Sequence, residues 1–206
     1  PDFRTPFGTA ISSQSGLVGY PAGTVNRKNF PGLEQGAAGT TAMSRGSWGN
    51  ATNVTLNEPS YVNVGVEATI DMSSGELIVH VQAYYTGDSP ESTNLLNIAL
   101  LQNNTAGPQT GGGQGNNYNH MHRLVHMVTG QWGETIANTT EESLYDETFT
   151  YTIPENYNNI PVVLQDLEIV VFVTETEQYI VSGNGTYPTF TNLPLENDTN
   201  EVEIEE

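Results

Sequence analysis

The sequence predicts a mainly β protein, an antiparallel β-sandwich of seven or eight strands, with a small partial α/β segment at its N-terminal end. Three observations carry that expectation. Apolar and polar residues alternate with period two from about Tyr61 onward. The alternating runs are short and separated by turns rich in Gly, Pro and Asn. Residues 1–59 read differently, with helix stop signals rather than strand alternation.

Taken in order, TPFGTAISSQSG reads as a short helix closing on Gly16, LVGYPAGTVNR as an extended segment around Tyr20-Pro21, and SRGSWGNATNVTLNEPS as a helix ending before Pro59. That is too little for an independent α/β domain, and it reads as the back half of one. In YVNVGVEATID, Val62, Val64, Val66, Ala68 and Ile70 fall on one face, and after the turn MSSG the run ELIVHVQAYYT alternates again, which predicts an antiparallel hairpin. Further strands are expected over 94–102, around 118–128, and over 147–153, 167–175, 178–183 and 186–192. Residues 103–117, NNTAGPQTGGGQGNN, read as a mobile surface loop. Its GGGQG run lacks the Lys-Ser/Thr and the strand-to-helix setting that let backbone amides cradle a phosphate. The expected division is therefore a partial segment 1–59, a β-sandwich domain 60–194, and an acidic tail or linker 195–206.

Composition narrows the function. A chain of 206 residues can bury an ordinary core without covalent staples. It holds no Cys, so disulfide exchange, thiolate nucleophiles and Cys-ligated zinc are excluded for these residues. Residues 1–45 carry Arg4, Arg27, Lys28 and Arg45 against Asp2 and Glu34, whereas residues 46–206 carry Arg123 alone against 22 acids. A field that negative repels phosphate backbones and anionic lipid surfaces, so nucleic acid is not an expected partner. No window approaches the roughly 18 to 20 apolar residues of a transmembrane helix. The opening PDFRTPFG has neither an initiator Met nor a signal-type apolar core, and it reads as a mature or trimmed product.

The densest chemistry lies in YNHMHRLVHMVTGQWGE, residues 118–134, with three of the four histidines. On one strand, His120, His122 and His126 would share a face, but His126 would lie about 20 Å from His120 by the strand rise. Two of them form at most a two-ligand pair, and no HExxH or His-carboxylate spacing supplies the rest. His120, His122 and His126 are therefore weak metal candidates, with a hydrogen-bonded structural role preferred. No catalytic residue is expected, because no GxSxG occurs and the carboxylate pairs Glu141-Glu142 and Asp146-Glu147 lie in polar turn sequence where solvation leaves them ordinary. Arg123, alone among acids, is expected in a structural ion pair, with a ligand carboxylate as the alternative. Trp132 is expected to pack a strand end onto the core with its indole N–H paired.

The runs NIALLQNN, YNHMHRLVHMVTGQWGETI, a Tyr-Thr-Ile-Pro strand end and LEIVVFVTE resemble the C-terminal β-domain of the twenty-eight-kilodalton outer-membrane protein family of Bacteroidetes. Tyr118, His120, Arg123, Gly130, Trp132, Gly133 and Glu134 match its Tyr-x-His-x-His-x-x-Arg and Gly-x-Trp-Gly-Glu pattern, with approximate spacing around the histidines. In that family a thioredoxin-like domain often precedes the β-domain, and LVGYPAGTVNR resembles the segment around its cis-proline, with Pro21 as the candidate. The Cys-x-x-Cys half is not in this chain. The resemblance implies a non-enzymatic cell-surface or secreted binding or assembly protein, adhesin or receptor-like, without a cofactor. It would be located extracellularly or at the outer-membrane surface, with a lipid anchor upstream or export by type IX secretion. Expected partners are a protein or glycan at the cell surface, or an outer-membrane complex. The rival readings are a thiol-disulfide oxidoreductase whose Cys-containing half lies upstream, and a subunit of an outer-membrane complex or extracellular filament.

Overall fold

Two sheets face each other across one apolar core. The computed structural model describes residues 1–111 and 113–193; the expected acidic tail 195–206 lies outside them. The N-terminal segment supplies helix α1 (Pro6–Ser15), strands β1 (Ala22–Gly23) and β2 (Met43–Ser44), and helix α2 (Trp48–Thr55). Helix α1 begins where the Thr5 hydroxyl accepts from the Gly8 N–H at 2.9 Å and ends at Gly16 in the left-handed region. Strands β1 and β2 pair, and Phe30, Met43 and Ala51 form a small separate core with Val25, Leu33 and Trp48 against it. The Tyr20-Pro21 peptide bond is cis.

The sandwich runs through β3 (Val62–Asp71), β4 (Glu76–Tyr85), β5 (Asn94–Gln102), β6 (Thr105–Gly107), β7 (Tyr118–His120), β8 (Arg123–Met127), β9 (Glu134–Ile136) and β10 (Leu144–Thr152). It continues with β11 (Asn156–Tyr157), β12 (Ile160–Pro161), β13 (Leu167–Glu175), β14 (Tyr179–Thr186) and β15 (Thr189–Thr191). One sheet has the order β10-β4-β3-β15 and the other β14-β13-β5-β8, with β9 also alongside β5. All pairings are antiparallel except β15 with β3, which is parallel. The predicted mainly β sandwich is the observed architecture.

Period-two alternation explains the core. Leu77, Val79, Val81, Ala83 and Tyr85 of β4 all point inward, facing Leu167, Ile169, Val171 and Val173 of β13, and all are fully buried. Each of the Val, Leu and Ile side chains among them contributes about 1.5–3 kcal/mol of transfer free energy. Among the described residues, no helix is long and apolar enough to cross a membrane.

Two expectations about the fold are corrected. Residues 118–128 are not one strand: Met121 and His122 separate β7 from β8, and His122 sits at φ 54°. Residues 103–117 are not wholly a mobile surface loop either, because their first third turns inward and forms β6 against β7, with Asn103, Thr105 and Gly107 buried. The Asn103 side chain holds that corner, its Oδ1 accepting from the His122 N–H at 2.8 Å and its Nδ2 donating to Glu168 at 3.0 Å.

Candidate functional site

The segment 118–134 forms the seam where the N-terminal segment is fastened to the open side of the sandwich. Strand β8 edges one sheet and β10 the other, and α1 with its leading residues lies over the gap. The three histidines are used separately. His120 packs between Phe3 (centroids 4.6 Å apart) and Tyr118 (4.8 Å), with Nε2 3.2 Å from the Pro108 carbonyl. His122 places Nδ1 2.9 Å from the Glu168 carboxylate. His126 stacks on Tyr151 at 4.3 Å and takes the Phe7 ring edge-on at 5.2 Å. The kink at His122 breaks the shared strand face that would align them. Among the described residues, no three His, Asp or Glu side chains come together as a metal could require.

Electrostatics at the seam follow burial. Loss of water pushes the His126 pKa down, favouring the neutral ring. It pushes the Tyr157 phenol up, and the hydrogen bond between the Tyr157 and Tyr151 hydroxyls, 2.9 Å apart, adds to the rise.

Arg123 departs from expectation: among the described residues it makes no ion pair. Alternation in β8 turns it inward with Val125 and Met127, leaving it 8% exposed. There Nη2 donates to Gln102 Oε1 at 3.2 Å and the guanidinium lies over the Phe3 ring at 5.5 Å, but Nε has no partner. A second buried cation, Arg27, lies 5.2 Å over the Phe172 ring with Nε and Nη2 unpartnered.

The Gly-Gln-Trp-Gly-Glu turn is shaped by its glycines. Gly130 and Gly133 have φ of 78° and 93°. A Cβ on Gly133 would lie 2.4 Å from the Leu96 carbonyl oxygen and 2.8 Å from Asn97 Nδ2, so only glycine lets β9 reach β5. Trp132, expected in the core, is instead half-buried in this turn and belongs to neither apolar cluster. The tryptophan with a paired indole is Trp48, donating to the Met43 carbonyl at 3.0 Å. Glu134 is exposed at the start of β9, and Tyr118 pairs with Gly107 in β7. Pro21 follows the 85% exposed Tyr20 at the surface.

The expectation of ordinary turn carboxylates is corrected for Asp146. It lies within β10, and hydrogen bonds from Gln82 and then His80, both at 2.7 Å, hold its pKa below the usual carboxylate range. Sequence reading also missed Phe3, Phe7, Gln102, Tyr151 and Tyr157, which complete the seam.

Fold and seam together define a β-sandwich protein with a small α/β segment clamped along one open side. The profile of the family described as outer membrane protein Omp28 matches residues 9–182, and the chain belongs to that family. Membership makes it a surface-associated protein of the outer membrane. Its fold is similar to HBP35 of Porphyromonas gingivalis, with a TM-score of 0.67 at 13% identity over 92% of this chain and 60% of that one. The chain thus spans 60% of the length of that structure. A domain of the outer membrane lipoprotein Omp28 from Porphyromonas gingivalis aligns with a TM-score of 0.46 at 16% identity, over 65% of this chain and 92% of that one. No curated protein sequence matches the chain.

Proposed function

We propose that the chain is a non-enzymatic binding or assembly module, adhesin or receptor-like, that engages a protein or glycan at the cell surface. A lipid anchor or type IX export would deliver it there. The observation that carries this reading is the use of the histidine segment: His120 and His126 pack against Phe3 and Phe7 of the N-terminal segment, and His122 is tied within the sandwich to Glu168. Side chains committed in this way hold a rigid surface and are not poised as an acid, a base or a ligand set. The test is binding of the fluorescently labelled chain to intact cells and to outer-membrane fractions of the source bacterium. Saturable binding competed by unlabelled chain supports the reading; signal that neither saturates nor competes refutes it.

The oxidoreductase reading is supported by a different observation, the order α1-β1-β2-α2 around a sheet of two strands with a cis Tyr20-Pro21 bond, an arrangement compatible with the back half of a thioredoxin-like domain. Thiol exchange requires a cysteine that this chain does not contain. Insulin reduction by the native protein would establish it, and no turnover above buffer would eliminate it.

A further inference from the structure

Between α1 and β8 lies a groove of about 420 Å³, lined by Phe3, Arg4, Ser12, Tyr20, Arg123 and Leu124 among others. Its volume is in the range of small-molecule sites. The chain holds 24 acids and 5 cations, yet two guanidinium groups and no carboxylate line this groove. Arg4 is neutralised by Asp2 at 2.8 Å, which leaves Arg123 as the uncompensated charge.

Arg123 is over nine-tenths buried, has one neutral acceptor, and leaves Nε without a partner. A buried cation in that state is costly, because a single neutral acceptor compensates little of its lost hydration. The groove also presents hydroxyls on Ser12 and Tyr20 that have no hydrogen-bond partner among the described residues, while Phe3 and Leu124 give it apolar walls.

We infer that this groove is a binding site for a small aryl carboxylate, whose carboxylate pairs with the Arg123 guanidinium while its ring lies against Phe3 and Leu124. The guanidinium fork matches the two oxygens of a carboxylate, and the partly dry setting strengthens that pair relative to water. Arg4 and the Ser12 hydroxyl assist at the rim. The site stands apart from the cell-surface reading, since it faces the seam and uses residues that bind a small anion whatever the outer face of the sandwich recognises.

The experiment is isothermal titration of the chain with 3-phenylpropionate and with its neutral amide, 3-phenylpropionamide. One-to-one binding of the carboxylate, at least tenfold tighter than the amide, is expected. Arg123→Met, with its fold verified by circular dichroism, should weaken carboxylate binding at least tenfold, and Arg4→Met should weaken it by only a few-fold. Ser12→Phe, which fills the groove from α1, should abolish binding of both compounds. The proposal is overturned if the carboxylate does not bind at millimolar concentration, if the amide binds as well, or if Arg123→Met binds normally. The amide comparison on the unaltered chain decides the matter even if Arg123→Met fails to fold.

Discussion

Replacing Gly133 by Ala tests whether the turn after the histidine segment is fixed by sterics. An alanine at φ 93° takes on the left-handed cost of about 1–2 kcal/mol. Its Cβ would also meet the Leu96 carbonyl at 2.4 Å and Asn97 Cγ at 2.9 Å. A backbone oxygen on the central strand of a sheet cannot swing aside, so β9 must move off β5 and loosen Ile136, which is 1% exposed. Forced overpacking of that kind costs about 1–3 kcal/mol, for a total of about 2–5 kcal/mol. Gly130→Ala is the internal control, since it shares a positive φ of 78° but would have nothing within 4 Å of its Cβ. It should lose only the backbone term. Urea unfolding followed by Trp fluorescence, with slopes checked for equality, reads the difference directly. In thermal melts the gap of about 1–3 kcal/mol corresponds to several degrees for a chain of this size. Equal midpoints for the two variants would refute the steric account of Gly133.

Tyr85→Phe should cost about 1–3 kcal/mol, because the fully buried Tyr85 hydroxyl donates to Asn94 Oδ1 at 2.9 Å and its loss leaves a buried acceptor bare; a midpoint shift near zero would contradict this. His126 has a pKa depressed by burial against the neutral rings of Tyr151, Tyr157 and Phe7. The unfolded chain therefore binds the proton more readily than the folded one, and stability should fall as pH drops below about 6.5, the unperturbed histidine value. His126→Phe should flatten the stability profile in that window, and an unchanged slope would exclude His126 as its source. Arg27→Met keeps an apolar contact with Phe172 while removing a buried charge with two unpartnered nitrogens; it should leave stability unchanged or raise it by about 1–2 kcal/mol, whereas a loss of that size would mean that the cation–π contact dominates.

What the sequence disclosed was local. Alternation placed the β3-β4 hairpin, β5 and β13, with the ends of β5 and β13 matching residue for residue, because their inward faces are continuous runs of Val, Ile and Leu. The cap at Gly16 was legible for the same reason, since a left-handed residue after a polar helix favours Gly. The site was only half legible. Its motif residues stood out, but their partners Phe3, Gln102, Tyr151 and Tyr157 are distant in the chain and carry no mark of the contact. Arg123 misled because an excess of acids over residues 46–206 does not say which of them the fold brings to a given strand position. Trp132 misled because a large apolar residue was assigned to the core when two flanking positive-φ glycines hold it in a turn. The histidines depended on a kink at His122 that no Gly or Pro announces.

The parallel pairing of β15 with β3 has a kinetic consequence. Thr69 and Thr189, whose hydroxyls meet at 3.0 Å, are 120 residues apart in sequence, and Asn192 donates to Asp71 at the same corner. The Thr69–Asp71 end of β3 is thus covered only once a strand about 120 residues further along the chain is in place. Closing so long a loop adds entropy that no local contact offsets, which puts completion of this sheet in the millisecond-to-second regime of non-local β topologies. Until then that end of the β3 edge is open to strand exchange, so this late pairing lengthens the time over which the edge can mispair.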